Sequence, residues 1–232
     1  MARAAHAARA HSDSGTTVRA LLDKEGRTYA EAAGIRLKDT PQPLYQLLVL
    51  AHLLSARIRA DTAVAAARAL FAAGMRDARH MRDATWQQRV DALGEGGYRR
   101  YDERTSTQLG KAAELVVDTY GGDLRRLRDK AGGDVRELRT LLQEVPGIGP
   151  AGADIFVREV QGVWPEVAPY LGEKALEGAR RLSLPADPET LARLVGKEEL
   201  PALAAALVRA ALDKHVVDEV HETANETQGG SG

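Results

Sequence analysis

Residues 138–160 read LRTLLQEVPGIGPAGADIFVREV, and the reading of this stretch decides the fold. Leu138, Leu141, Leu142 and Val145 recur at three- and four-residue spacing, as the buried face of a helix does. Val145-Pro146-Gly147-Ile148-Gly149-Pro150 is too rich in Gly and Pro to continue that helix, so the spacing predicts a turn. A second helix can start at Pro150, whose fixed φ suits a first helical position and whose missing N–H is no loss there. Ile155, Phe156, Val157 and Val160 then form its packing face. Gly147 and Gly149 allow positive φ and leave backbone N–H groups uncovered beside the positive end of a helix. Such an assembly suits a phosphate.

Two other readings fit the same glycines. Gly147-x-Gly149-x-x-Gly152 matches the dinucleotide-binding fingerprint, which requires a strand before the glycines and an acidic residue about 20 positions later on a second strand. The preceding segment here is Leu/Arg/Glu-rich with helical spacing, so that reading fails on context. An ordinary helix–turn–helix corner would also account for the Pro-Gly pair.

Around this stretch the chain has the composition of a globular helical protein. Its 232 residues are enough for one large or two small domains. Hydrophobic residues make up 44% and charged residues 28%, which excludes a disordered chain. Aromatic residues are scarce, Ala, Leu and Arg abundant, and few segments alternate with period two, so the expected fold class is all-α. There is no cysteine, which excludes disulfides, thiolate zinc sites and cysteine-ligated iron–sulfur clusters. No apolar run is long enough for a membrane span, and the Ala/Arg-rich start lacks a secretory signal's apolar core, so no membrane partner and a cytoplasmic location are expected. The net charge of −1 argues against coating nucleic acid through bulk electrostatics, though not against a positive face.

About ten helices are expected. Residues 1–16 show no apolar stripe and are expected to be disordered, with a first helix over Thr17–Lys24 and a second over Tyr29–Ala33. Thr40-Pro41-Gln42-Pro43 signals a helix start, and the nearly continuous apolar run Leu44–Ala56 predicts a helix buried on most sides. Asp61 is expected to cap a helix closed by Gly74, and Met75–Arg82 to form another. Thr85 is expected to cap Trp86–Leu93. A long segment follows to Tyr120 with Leu109, Ala112, Ala113, Val116 and Val117 as its core side. A short Arg-rich helix begins at Asp123. Asp134 leads into the first helix of the opening stretch. Beyond it lie helices near Leu171–Leu182, Glu189–Val195 and Glu198–Asp213, then a flexible polar tail over 221–232.

The order of these pieces resembles the endonuclease III branch of the helix-hairpin-helix (HhH-GPD) DNA glycosylase superfamily, over roughly residues 18–215. Leu48–Arg57 with the following Asp61 resembles the family's buried helix ending in Leu-Leu-Ser-Ala. Leu141–Ala153, with its Val-Pro-Gly-Ile-Gly turn, resembles the hairpin and is the most specific match. Trp164-Pro165-Glu166-Val167-Ala168 resembles the approach to the family's catalytic loop. The resemblance implies two helical subdomains flanking a cleft. One is a six-helix barrel over 40–150 that includes the first hairpin helix; the other joins 17–39 to 151–220. It also implies double-stranded DNA as partner, held by the hairpin residues Pro146, Gly147, Ile148, Gly149 and Ala151, with a damaged base flipped out of the stack. A monovalent cation on the hairpin carbonyls is a further implication. No other cofactor and no metal centre is expected. Arg57 stands where relatives place a residue that fills the gap left by the flipped base, and as arginine it can stack and donate; a solvated helix end is the other reading.

The family's chemistry does not carry over residue by residue. Bifunctional members place a lysine nucleophile two residues after the second hairpin glycine, and that position is Ala151. Members share an aspartate in the catalytic loop. Counting from Trp164-Pro165, its position is Tyr170, or Pro169 with a one-residue slip, and a phenol with a pKa of about 10 offers no anion at neutral pH. Asp154 lies one helical turn after Ala151, and Glu173 one turn after Tyr170, so each could supply a replacement carboxylate. Glu166 and Lys174 are further candidates. All four have surface charge as the alternative reading. A base alkylated on a ring nitrogen is already cationic and could leave through positioning and electrostatics alone. Enzymatic activity therefore stays open.

Other constellations are weak. No histidine pair has metal-ligand spacing, and His52 reads as a hydrogen-bonded core residue. Tyr98–Arg104 mixes aromatic and basic groups as a nucleic-acid surface can, but also reads as a helix start. The leading function is a monomeric DNA-binding helix-hairpin-helix protein of base-excision repair, with glycosylase activity on damaged bases open. A catalytically inactive lesion reader and a helical protein–protein scaffold are the alternatives.

Overall fold

The computed structural model describes the side chains of residues 13–227, on a backbone described from Ala2 to Gly229. Every regular element among the described residues is helical, and the chain forms two compact units, one of Tyr29–Val167 and one joining Met1–Thr28 to Ala168–Gly232.

The first unit is built on a helix buried on most sides. After α1 (Ala2–Glu25) and the single turn α2 (Tyr29–Ala32), α3 (Pro41–Leu54) starts where Thr40 and two prolines predict. Leu44, Tyr45 and Leu47 through Leu53 are all buried in it. Each fully buried leucine contributes about 1.5–3 kcal/mol, so α3 is the nucleus against which its neighbours pack. α4 (Ala60–Ala72) packs on it and on the helix of Trp86–Glu95, with Ala63, Ala66 and Ala67 buried. Arg59, not Asp61, is the N-cap of α4; Asp61 sits in the first turn, where its carboxylate still faces the positive end of the helix.

The helix expected over Met75–Arg82 begins later, as α5 (Ala78–Asp83). The Met75 N–H closes back on Leu70, and the Asp77 carboxylate accepts the His80 N–H, which fixes Asp77 as the cap. α6 (Trp86–Glu95) has the reciprocal Thr85–Gln88 capping box. Its Arg89 is only 7% exposed, and its guanidinium donates to the carbonyls of Met81, Ala84 and Ser106 at 3.0, 2.6 and 2.9 Å. That charge ties α5 and α6 to the start of α7 (Asp102–Tyr120). The Arg-rich α8 (Arg125–Ala131) then leads to the hairpin pair α9 (Val135–Gln143) and α10 (Pro150–Val160). Within this unit α10 packs on α3, and the Ala30 N–H of α2 donates to the Glu159 carboxylate of α10 at 2.9 Å.

In the second unit the apolar helix α13 (Leu200–Leu212) is central, flanked by α1, α11 (Glu173–Arg181) and α14 (Lys214–Gly229), with α12 (Pro188–Ala192) between α11 and α13 in sequence. α11 lies so close to α13 that a Cβ on Gly178 would stand 1.8 Å from the Leu207 carbonyl oxygen, so only glycine allows this crossing. Two sequence expectations are corrected here. Residues 2–16, expected to be disordered, are part of α1, and the first residue of that expectation lies outside the described residues. The tail from 221 is helical as far as described, because Val220 and Ala224 sit one turn apart and are both buried. Among the described residues no helix is long and apolar enough to cross a membrane.

Candidate nucleic-acid interface

The hairpin forms as its sequence dictates. The Asp134 side chain accepts the N–H groups of Arg136 and Glu137 and starts α9. Leu138, Leu141, Leu142, Val145 and Ile148 are buried, so the turn is anchored from within. Gly147 takes φ +86°, and a Cβ there would also stand 2.2 Å from Cε1 of His52. Conformation and space thus both require glycine at 147. Gly149, exposed and extended at φ −94°, is the N-cap of α10, and Pro150 opens the helix. The Ile148 N–H donates to Val145 and the Ala153 N–H to Gly149. Among the described residues, no such turn bond occupies the amides of Gly147, Gly149 or Ala151. Gly149 and Ala151 lie exposed at the positive end of α10, and Pro146 is half-buried behind them.

Beside Gly147 a concavity of about 400 Å³ is lined by His52, Arg57, Tyr101, Arg104 and Gln108, among others. Arg57 and Arg104 are exposed, and no carboxylate is part of the lining. His52 is buried, its Nε2 lies 3.2 Å from Gln108 Oε1, and burial pushes its pKa down to about 4, so the ring is neutral near pH 7. The positive charge facing Gly147 therefore comes from the two arginines. Of these residues, Arg57 was legible in the sequence. Arg104 and Gln108 were not, because α7 brings them to the hairpin across some 40 residues of chain. Arg104 had one signal, the Tyr98–Arg104 segment, in which Tyr98 is buried and accepts a bond from Thr105.

The candidate carboxylates all have cationic partners. Asp154 Oδ1 lies 2.7 Å from Arg139 Nη2, joining α10 to α9. Glu173 is the first residue of α11, exposed, and pairs with Arg180 at 2.8 Å. Lys174 pairs with Glu177 at 2.5 Å. Glu166 accepts from Arg128, which also donates to Asp39 at 3.0 Å and lies over the Trp164 ring. Trp164 in turn donates to Asp39 at 2.9 Å and meets the Phe156 ring at 5.7 Å. Glu166 is thus part of a clasp between α8, the segment before α3 and the end of the hairpin. Tyr170 is half-buried and belongs, like Glu173, to the second unit, whereas Asp154 and Ala151 belong to the first.

Among the described residues no group of three or more His, Asp or Glu is placed to hold a metal ion. For the monovalent cation, the turn offers neutral carbonyl oxygens: those of Leu142, Val145 and Gly149 each accept one N–H and keep a second lone pair. The donor chemistry fits such an ion.

This arrangement of helices has counterparts among solved structures. A non-covalent endonuclease III–DNA complex matches with a TM-score of 0.50 at 17% identity, over 83% of this chain and 81% of that one. A trapped endonuclease III–DNA covalent intermediate, in an estranged-adenine complex, matches with a TM-score of 0.47 at 18% identity, over 84% of each chain. The fold is therefore all-α and endonuclease III-like, with a helix-hairpin-helix motif. No family model and no curated protein matches the chain.

Proposed function

We propose that the chain is a helix-hairpin-helix protein of base-excision repair, akin to the DNA glycosylase superfamily, that binds double-stranded DNA as a monomer in the cytoplasm and at the nucleoid. The observation that carries this reading is the hairpin: the exposed Gly149 and Ala151, whose amides no turn bond occupies, at a helix N-terminus, beside a concavity lined by Arg57 and Arg104 and free of carboxylates. A DNA phosphate seated there meets N–H donors, the helix dipole and two guanidinium groups. Pro146 and Ile148 hold the turn in shape. Arg57 is the residue best suited to enter the space of an extruded base. A monovalent cation on the turn carbonyls would add positive charge under the same phosphate.

The chemistry that suits these residues is release of a base that is already cationic, such as one alkylated on a ring nitrogen. Ala151 supplies no amine, and Tyr170 supplies no carboxylate where the family's aspartate stands. A second reading, a lesion reader without catalysis, is favoured by the ion pairs that hold Asp154, Glu173 and Glu166.

Fluorescence anisotropy with a labelled duplex at low salt tests the binding. Affinity should fall at least tenfold in the Arg57→Ala/Arg104→Ala protein. Absence of binding to any duplex, or binding indifferent to these changes and to Gly149→Ala, would leave a protein–protein scaffold as the better reading. Duplexes carrying single alkylated, oxidised or deaminated bases, assayed for base release and strand scission, then separate enzyme from reader. Release confined to alkylated bases supports the first reading, and no release from any of them the second.

A further inference from the structure

A second concavity, of about 480 Å³, lies at the N-terminal end of α3 and is lined by Arg36, Arg68 and Arg76 together with Gln42, Gln46 and Phe71. The α-helical rise of about 1.5 Å per residue puts Gln42 roughly 15 Å along α3 from His52, so this is a separate place from the hairpin concavity. Three segments supply the arginines: the stretch after α2, α4 itself, and the stretch after α4. Two of them are held in position by backbone carbonyls. Arg68 Nη2 donates to the Ala32 oxygen, and Arg76 Nε donates to the Phe71 oxygen at 2.8 Å. Each guanidinium has five N–H donors, so both keep donors for a ligand.

No carboxylate lines this concavity, although the whole chain carries a net charge of −1. Three like charges that line one concavity without a carboxylate among them repel one another, and an anion bound there lowers that cost. The uncovered Gln42 amide in the first turn of α3 adds a donor at the positive end of the helix, where the flanking Pro41 and Pro43 have none to add. Planar guanidinium forks match phosphate oxygens in pairs. The volume exceeds what one phosphate needs and lies in the range of sites for small organic ligands, about 300–1,000 Å³.

We propose that this concavity binds an anion bearing two or more phosphoryl groups. Those groups come either from a free nucleotide or polyphosphate, or from the backbone of a nucleic-acid strand. The site does not depend on the hairpin reading and can fail or hold separately from it.

The test uses the full chain and inorganic tripolyphosphate at low salt, followed by isothermal titration calorimetry. Binding should weaken at least tenfold in Arg36→Gln/Arg76→Gln. Arg68 is left intact so that only one of the two positioning bonds, that of Arg76 to Phe71, is lost in the double variant. Arg36→Gln alone, in which neither of the two positioning bonds is touched, should give an intermediate loss, with thermal unfolding checked for all variants. The salt dependence of duplex DNA binding is measured in parallel. A slope that falls by about one to two in the double variant identifies nucleic-acid phosphates as the source, since each phosphate contact contributes roughly 0.9. An unchanged slope with lost tripolyphosphate binding identifies a free phosphoanion. Tripolyphosphate binding that is absent or indifferent to the arginine changes, with an unchanged slope, overturns the proposal.

Discussion

A methyl group on Gly147 would meet the His52 ring and also demand a positive φ of a residue with a Cβ, whereas one on Gly149 would stand in open space. The two glycines of the turn therefore do different work. Gly147→Ala should cost about 3 kcal/mol through strain and overpacking and lower Tm by roughly 6–12 °C. Gly149→Ala should stay within about 1 kcal/mol of the parent, because only the quality of a helix cap changes. Its DNA affinity should nevertheless drop, since the methyl group crowds the exposed amides. Thermal unfolding read beside anisotropy separates the two effects; equal Tm values would sink the distinction. His52 adds a pH dependence. Burial holds its pKa near 4 in the folded protein, while the unfolded chain takes up the proton below about 6.5. Between those values the unfolded state binds more protons. The stability present above pH 6.5 is therefore lost as pH falls toward 4, by an amount on the order of 3 kcal/mol over the whole window. His52→Gln should flatten the fall of Tm across that window; an unchanged slope would show that other groups cause it.

At the level of elements, the hairpin is two helices joined by a turn and by one ion pair, Arg139–Asp154. Both side chains are about a third exposed, so the pair contributes at most about 1 kcal/mol to stability. Its larger effect is on the angle at which α10 presents its first turn. Arg139→Gln and Asp154→Asn should each weaken DNA binding a few-fold, and the double change should be no worse than either alone. If Asp154→Asn abolished base release while Arg139→Gln left it intact, the carboxylate would instead take part in the chemistry. The hairpin could be foreseen because everything that defines it is local: an Asp cap, leucines at helical spacing, Gly-x-Gly and a proline at the first helical position. The Thr85–Gln88 cap of α6 was legible for the same reason. The start of α5 was not, since it depends on which of several polar side chains wins the first free N–H. The helical course of 221–227 was missed because its one buried residue, Ala224, continues the buried side begun by Val220, and α14 gains that burial from α1 and α13. An isolated reading of a polar segment cannot see that.

For the molecule as a whole, charge balance sets the behaviour. With 32 basic and 33 acidic side chains, attraction to DNA has to come from patches that lack carboxylates. If about four phosphates are neutralised, raising salt from about 50 to 200 mM should weaken binding roughly a hundredfold. A salt-independent affinity would contradict phosphate recognition altogether. The contact of α10 with α3, between residues some 100 positions apart, is equally a property of the whole unit that no local pattern carries. Apart from Arg57, the arginines that line the two concavities were not legible either, because their spacing in sequence has no period.

The clasp of Arg128, Asp39 and Glu166 around Trp164 has a practical consequence for spectroscopy. The chain has two tryptophans, one fully enclosed at 164 and the other, Trp86, 41% exposed. A collisional quencher such as iodide should silence Trp86 first and leave the emission of a single indole, packed against Phe156 of the second hairpin helix and a guanidinium of α8. That residual, blue-shifted emission is a built-in optical probe of the base of the hairpin. It needs no label, and it can be followed while DNA, salt or acid is titrated in.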